Sequence, residues 1–144
     1  MVVTDEGVVL IDSGGSYKGT TAIDALVKQF TGQPVKVVIN TGGQDRRWLG
    51  NGYFEQRGTH VIASRDAVED QRARAQDQLI ALGTLIGDRG LEGIGPVHAD
   101  EVFEESHTLT LGGIIFELHR PGSHARRHKR VGYKWSEVRD RPKI

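Results

Sequence analysis

The chain has 144 residues, 37% hydrophobic and 26% charged, with no cysteine, so it fits one domain of ordinary soluble composition, and disulfides and thiolate metal sites are excluded. No apolar run approaches the ~20 residues that span a bilayer, and no stretch has the charged start, apolar middle and cleavage site of a signal peptide, so a cytoplasmic protein with no membrane contact is expected. The net charge of zero hides an asymmetry: residues 126–144 carry eight basic and two acidic residues, and residues 1–125 carry eleven and seventeen, an abrupt change that marks two segments of different origin or task.

Met1 to Thr4 and Gly7 to Ile11 read as short strands around an Asp5-Glu6-Gly7 turn. Asp12-Ser13-Gly14-Gly15-Ser16 is a polar, glycine-rich break. The spacing of Ala22, Ile23, Leu26, Val27 and Phe30 predicts a helix over Thr20 to Phe30 with those residues as its apolar face. Val35 to Ile39 suits a buried parallel strand. Asn40 to Asp45 is a loop, and Trp48 to Gln56 a short irregular helix interrupted by Gly50-Asn51-Gly52. His60 to Ala63 is a further strand. A long helix follows from Ala67 to about Ile86, capped by Ser64 or Asp66, with Gly83 and Gly87 to Gly95 breaking it up. Thr108 to Leu111 and Ile114 to Leu118 form a hairpin around Gly112-Gly113, and Arg120 to His124 is a loop. Strands alternating with helices argue for an α/β sheet, whose ligands sit beyond the carboxyl ends of the strands. Three polar loops lie there: Asp12 to Ser16, Asn40 to Arg47, and Pro121 to Ala125.

Those loops carry a resemblance. Val8 to Gly14, a strand ending in Asp and then Gly, resembles the opening motif of the metallo-β-lactamase superfamily. Val37-Val38-Ile39-Asn40-Thr41, with Leu49-Gly50-Asn51 downstream, resembles the frame of its signature T-H-x-H-x-D-H-x-x-G-N. Ile115 to His124 looks like the strand and loop that deliver the next zinc-binding His. The likeness runs from about Val2 to Ala125. It implies an αββα sandwich, of which this chain supplies mainly the first αβ half, and a zinc-dependent hydrolase as the parent activity.

The departures fall on the ligands. Zinc takes imidazole and carboxylate donors at roughly 2 Å. The four ligand positions of the signature are occupied here by Gly42, Gln44, Arg46 and Arg47. Glycine offers no donor, a neutral amide is a poor one, and two guanidinium groups repel a divalent cation. Shifting the register by one brings Asp45 near the carboxylate position but supplies no His. His124 is the retained candidate ligand, with Asp45 the nearby carboxylate, and the resemblance gives Asp12 the task of bracing the site. No catalytic residue is assigned, since no Ser-His-Asp arrangement or phosphate loop is legible. His60, His98, His107 and His119 read as non-ligands in or beside strands, and Trp48, Tyr53 and Phe54 as packing. Zinc is thus implied by the resemblance, with no tight binding by this chain expected.

The chain divides into a metallo-β-lactamase-like domain over 1–125 and a basic tail over 126–144. Arg126 to Gly132, followed by Tyr133 and Trp135, has the make-up of a nucleic-acid patch. A frameshift fits it better: written with suitable codons and read one base later, residues 126–132 become Gly-Asp-Thr-Ser-Val-Trp-Val, the family's usual continuation. A truncated, degenerate hydrolase relative without activity is the expectation, with self-association through an uncovered sheet face. Nucleic acid is not expected as a partner. The alternatives are a non-catalytic binding module using the tail, and a hydrolase with an unusual metal site around Asp12, Asp45 and His124.

Overall fold

The computed structural model describes residues 1–120. A hairpin of β1 (Val2–Thr4) and β2 (Gly7–Ile11) starts a five-stranded sheet, followed by α1 (Tyr17–Phe30), β3 (Val35–Asn40), α2 (Asp45–Trp48), α3 (Asn51–Glu55), β4 (His60–Ser64), α4 (Arg65–Leu91) and β5 (Glu101–Phe103). The strand order is β1-β2-β3-β4-β5, antiparallel at β1–β2 and parallel from there on. A second, two-stranded sheet is the antiparallel hairpin of β6 (Ser106–Leu111) and β7 (Ile114–His119).

Alternation along the strands sorts the core into two layers. Val8, Leu10, Val38 and Val61 face the helices and pack with Val27 of α1 and Tyr53 and Phe54 of α3. Val9, Val37, Ile39, Ile62 and Phe103 face the other way and pack against Phe116 and Leu118, with Leu109, Leu111 and Ile114 half-buried around them. The β6–β7 hairpin therefore lies on the face of the large sheet that the helices leave open. The sequence reading left that face uncovered; among the described residues it is covered, with Val9 and Ile62 fully buried. The hairpin supplies an apolar side of its own because its inward residues alternate with Ser106, Thr108, Thr110, Glu117 and His119.

Three further differences from the sequence reading have local causes. Helix α1 begins at Tyr17, because the Ser16 hydroxyl caps it by accepting the Gly19 N–H at 3.0 Å. Its buried residues are Thr20, Asp24 and Val27, while Leu26 and Phe30 are 53% and 74% exposed. Polar bonds turn the helix: Thr20 donates to the Ser13 carbonyl at 2.9 Å, and Asp24 accepts the Tyr53 hydroxyl at 2.7 Å. Helix α4, capped by Ser64, runs through Gly83 and breaks at Gly87, where φ is 71°. A Cβ at Gly83 would stand 2.9 Å from Leu91 Cδ1, so that glycine admits the returning chain rather than ending the helix. Strand β5 has no signal in the sequence pattern, because three residues are too few to show a period.

Candidate functional site

Beyond the carboxyl ends of β2 and β3, the segments 12–16 and 40–51 are bound to each other by side chains. Asp12 leaves β2 with a φ of 61°, the one positive value at a non-glycine among the described residues. Such a conformation is tolerated best by Asp and Asn and is held against a cost of ~1–3 kcal/mol. The holding bonds are visible. Asp12 N–H donates to the Ile39 carbonyl at 2.9 Å. Its carboxylate accepts the Thr41 N–H at 2.7 Å and the Thr41 hydroxyl at 2.9 and 2.7 Å. Burial pushes the Asp12 carboxyl up; the Thr41 bonds and the charges of Arg47 and Arg46 oppose this without cancelling it, and the net pKa is raised. Its geometry is that of a loop brace.

The frame of the signature is a closed polar network. Asn40 and Asn51 exchange amide bonds, Asn51 Nδ2 donating to Asn40 Oδ1 at 2.8 Å and Asn40 Nδ2 to Asn51 Oδ1 at 3.0 Å. Asn51 also accepts the Ser13 hydroxyl at 2.8 Å and donates to the Val97 carbonyl at 2.9 Å. Gln71 of α4, fully buried, donates to Asn40 Oδ1 at 3.3 Å and the Gly42 carbonyl at 3.4 Å, and its Oε1 lies 3.1 Å from His98 Nδ1. The His98 ring stacks on Trp48, centroids 5.0 Å apart, and Trp48 Nε1 donates to Gln78, which donates to the Gly43 carbonyl. Burial, and next the charge of Arg72, lower the pKa of His98. Every buried side-chain polar atom among the described residues has a partner, as a stable network in a low-dielectric interior requires. Gly50 admits this closure: a Cβ there would sit 2.2 Å from Thr20 Oγ1 and 2.3 Å from the Ser13 carbonyl oxygen.

The positions that the sequence resemblance gives to the ligands adjoin this frame. Gly42 and Gly43 are buried. A Cβ on Gly43 would meet the Asp70 carboxylate at 2.3 Å, and a Cβ on Gly42 would meet Arg47 Nη1 at 3.2 Å. Arg47 is half-buried and folds back over the loop, Nη1 donating to the Thr41 carbonyl at 3.1 Å and hydroxyl at 2.9 Å. Gln44 is the N-cap residue of α2 without a side-chain capping bond. Asp45 accepts the Arg46 N–H at 2.6 Å, so it caps its own turn, whereas Asp12 is engaged by Thr41. Arg46 is exposed. His124 lies outside the described residues. Among the described residues no three His, Asp or Glu side chains stand where they could hold a metal ion. A glycine against a guanidinium and a carboxylate already committed to backbone do not fit zinc's need for lone-pair donors.

Trp48, Tyr53 and Phe54 are core residues, 0%, 6% and 1% exposed. The sequence reading missed the buried roles of Ser13 and Gln71 and the docking of His98. Ser13 sits in a segment that reads as a mere glycine-rich turn. Gln71 sits in a run so polar that it reads as a solvated face. Asn40 and Asn51 were legible only as parts of the signature frame.

The fold matches solved proteins. A metallo-β-lactamase from Pontibacter korlensis superposes with a TM-score of 0.60 at 26% identity, over 84% of this chain and 47% of that one. The chain has a metallo-β-lactamase-type fold. The metallo-β-lactamase FIM-1 from Pseudomonas aeruginosa, in its mono-zinc form, superposes with a TM-score of 0.52 at 18% identity, over 79% of this chain and 43% of that one. This metallo-β-lactamase-fold chain thus spans just under half the length of the structures it matches. No protein-family profile matches the sequence, and no curated protein does. No helix among its described residues is long and apolar enough to cross a membrane.

Proposed function

We propose that this chain is a degenerate metallo-β-lactamase-fold part that does not carry out zinc-dependent hydrolysis. The observation that carries the reading is the exchange of space between positions 42 and 47. The signature asks for imidazoles at both; here Arg47 Nη1 lies 3.2 Å from where the Gly42 side chain would begin and is bonded to Thr41. The loop keeps the family's scaffolding while the place of two ligands holds one fixed cation. In this family's chemistry the metal supplies hydroxide at neutral pH and polarises the scissile bond; a guanidinium does neither, because it stays protonated throughout the accessible pH range.

Calorimetric zinc titration of the full chain beside a His124→Ala variant tests the reading, together with assays on β-lactams, thioesters and phosphodiesters. The expected result is no stoichiometric zinc at micromolar metal and no turnover above background. Replacing Gly42, Gln44 and Arg47 by His and Arg46 by Asp together is expected to raise zinc affinity. Gly42→His alone is not, since Arg47 still fills the site. Tight one-to-one binding by the unaltered chain that disappears in His124→Ala would overturn the proposal in favour of an unusual site using Asp12, Asp45 and His124. The charge of residues 126–144 favours a second reading, a non-catalytic module whose basic tail contacts an acidic partner. A salt-sensitive shift of DNA in a gel, lost on removing the tail, would support it.

A further inference from the structure

His60 opens β4 on the inner face of the large sheet, two residues before Ile62 and beside Val37 of β3. Both of its ring nitrogens meet carboxylates. Nδ1 lies 2.8 Å from Asp100 Oδ1 and Nε2 lies 2.5 Å from Glu101 Oε2. An ionised carboxylate only accepts, so the ring bonds both carboxylates at once only as an imidazolium, with a proton on each nitrogen. The second oxygen of Glu101 lies 3.3 Å from Nδ1 of His107 on β6, whose ring stacks on Phe103 with centroids 6.0 Å apart. Glu101 is therefore shared between the edge of one sheet and the hairpin of the other.

We propose that His60, Glu101 and His107 form a proton-operated clasp between the two sheets, holding the β6–β7 hairpin more tightly in mildly acidic than in alkaline solution. Charged groups around His60 come from two sides. Asp100 and Glu101 face it from the β5 side, and His107 reaches Glu101 from β6. Its register partner on β3 is apolar Val37, and the remaining residues of β4 carry no charge. On β7, Glu117 and His119 are exposed and lie 3.8 Å from each other on the solvent side of the hairpin.

Asp100 is anchored without the ring, since its side chain accepts the Val61 N–H at 3.0 Å and its own N–H donates to the Val61 carbonyl at 3.0 Å. Deprotonation therefore releases Glu101 first. A neutral imidazole donates through one nitrogen only, and the other then presents a lone pair to a carboxylate. Burial disfavours the charge on His60, but the Glu101 hydrogen bond, the charge and bond of Asp100 and the charge of Glu101 outweigh it, and its pKa is raised above the ordinary 6.5. The sign follows: the clasp's contribution is complete below 6.5 and fades as pH rises through the higher folded-state value. His60 and Glu101 are each 41% exposed along their side chains, so salt weakens the effect.

The test is hydrogen–deuterium exchange of the full chain at pH 6 and pH 9 in low salt, corrected for intrinsic rates, with β2 and β3 as internal reference. Protection of β5 and the β6–β7 hairpin is expected to fall several-fold relative to the reference at the higher pH. That dependence should shrink in His60→Gln and vanish when His107→Gln is added. A ring-proton titration by NMR provides the second readout: the His60 midpoint should lie above that of an unfolded histidine and drop in Glu101→Gln, which keeps the proposal testable if His60→Gln fails to fold. An ordinary or lowered midpoint in the unaltered chain would overturn it, as would protection that ignores pH, or that follows pH equally in His60→Gln.

Discussion

Replacing Asn51 by Ala removes the centre of the network beneath the signature loop. Asn51 is fully buried and takes part in four side-chain bonds. Two of its partners have other bonds: Asn40 Nδ2 also donates to the Arg47 carbonyl at 2.9 Å, and Asn40 Oδ1 also accepts from Gln71. The other two fare worse. The Ser13 hydroxyl keeps only the Arg47 carbonyl at 3.5 Å, the outer limit of a hydrogen bond, and the Val97 carbonyl loses its donor. Each buried group left unsatisfied costs ~1–3 kcal/mol, so the variant should lose about 2–6 kcal/mol, a large part of the 5–15 kcal/mol typical of a domain, by order of magnitude. Urea unfolding followed by circular dichroism reads this as a fall in midpoint of about 1–3 M at an ordinary slope. Asn51→Asp keeps the acceptor for Ser13 but turns an oxygen toward the Asn40 and Val97 oxygens and buries a charge, so it should be at least as damaging. A midpoint within about 0.3 M of the parent for Asn51→Ala, at unchanged slope, would refute the claim that this network holds the site together.

Gly50→Ala forces a Cβ to 2.3 Å from the Ser13 backbone oxygen; a loss of about 3 kcal/mol, near the top of the overpacking range, is expected in the same urea assay, and a neutral outcome would show that the two loops are not in contact. The Asp24 carboxyl is opposed by burial, but its bonds to Lys28 and Tyr53 and the charges of Lys28 and Arg57 prevail and its pKa is lowered from 3.8. Its contribution is therefore present above the unfolded value and lost as pH falls through the folded one, so Asp24→Asn should flatten the acid limb of a stability–pH curve, and an unchanged limb would contradict the assignment. Deleting residues 126–144, where no periodic apolar face ties the sequence to a core, should leave the circular dichroism of the remainder nearly unchanged; unfolding on deletion would make the tail a structural element.

Local pattern by itself determined the alternation of strands and helices, because β-branched runs such as Val35–Ile39 and the turn residues around Gly7 and Gly112 act over a few residues. It also picked out Asn40, Thr41, Gly50 and Asn51 and the residues at 42, 44, 46 and 47 that the proposed reading treats as replaced ligands, since these are questions of residue type and spacing. It could not decide which face α1 buries: the 3.6-residue period favoured Leu26 and Phe30, but the hydrogen bonds of Thr20 and Asp24 to partners 7 and 29 residues away turned the helix. Nor could it reveal β5, whose three residues gain strand character only by pairing with β4, or show that the β6–β7 hairpin covers the open face of the sheet. Gln71 and Arg47 make the same point at the site. In the sequence one is a polar residue in a solvated-looking helix and the other a cation in a loop. Only the approach of α4 to β3 buries Gln71 on Asn40, and only the turn of α2 lays Arg47 over Gly42. Contacts between residues distant in sequence depend on the packing of whole elements, and that is settled by the joint burial of their apolar faces rather than by any short window of the chain.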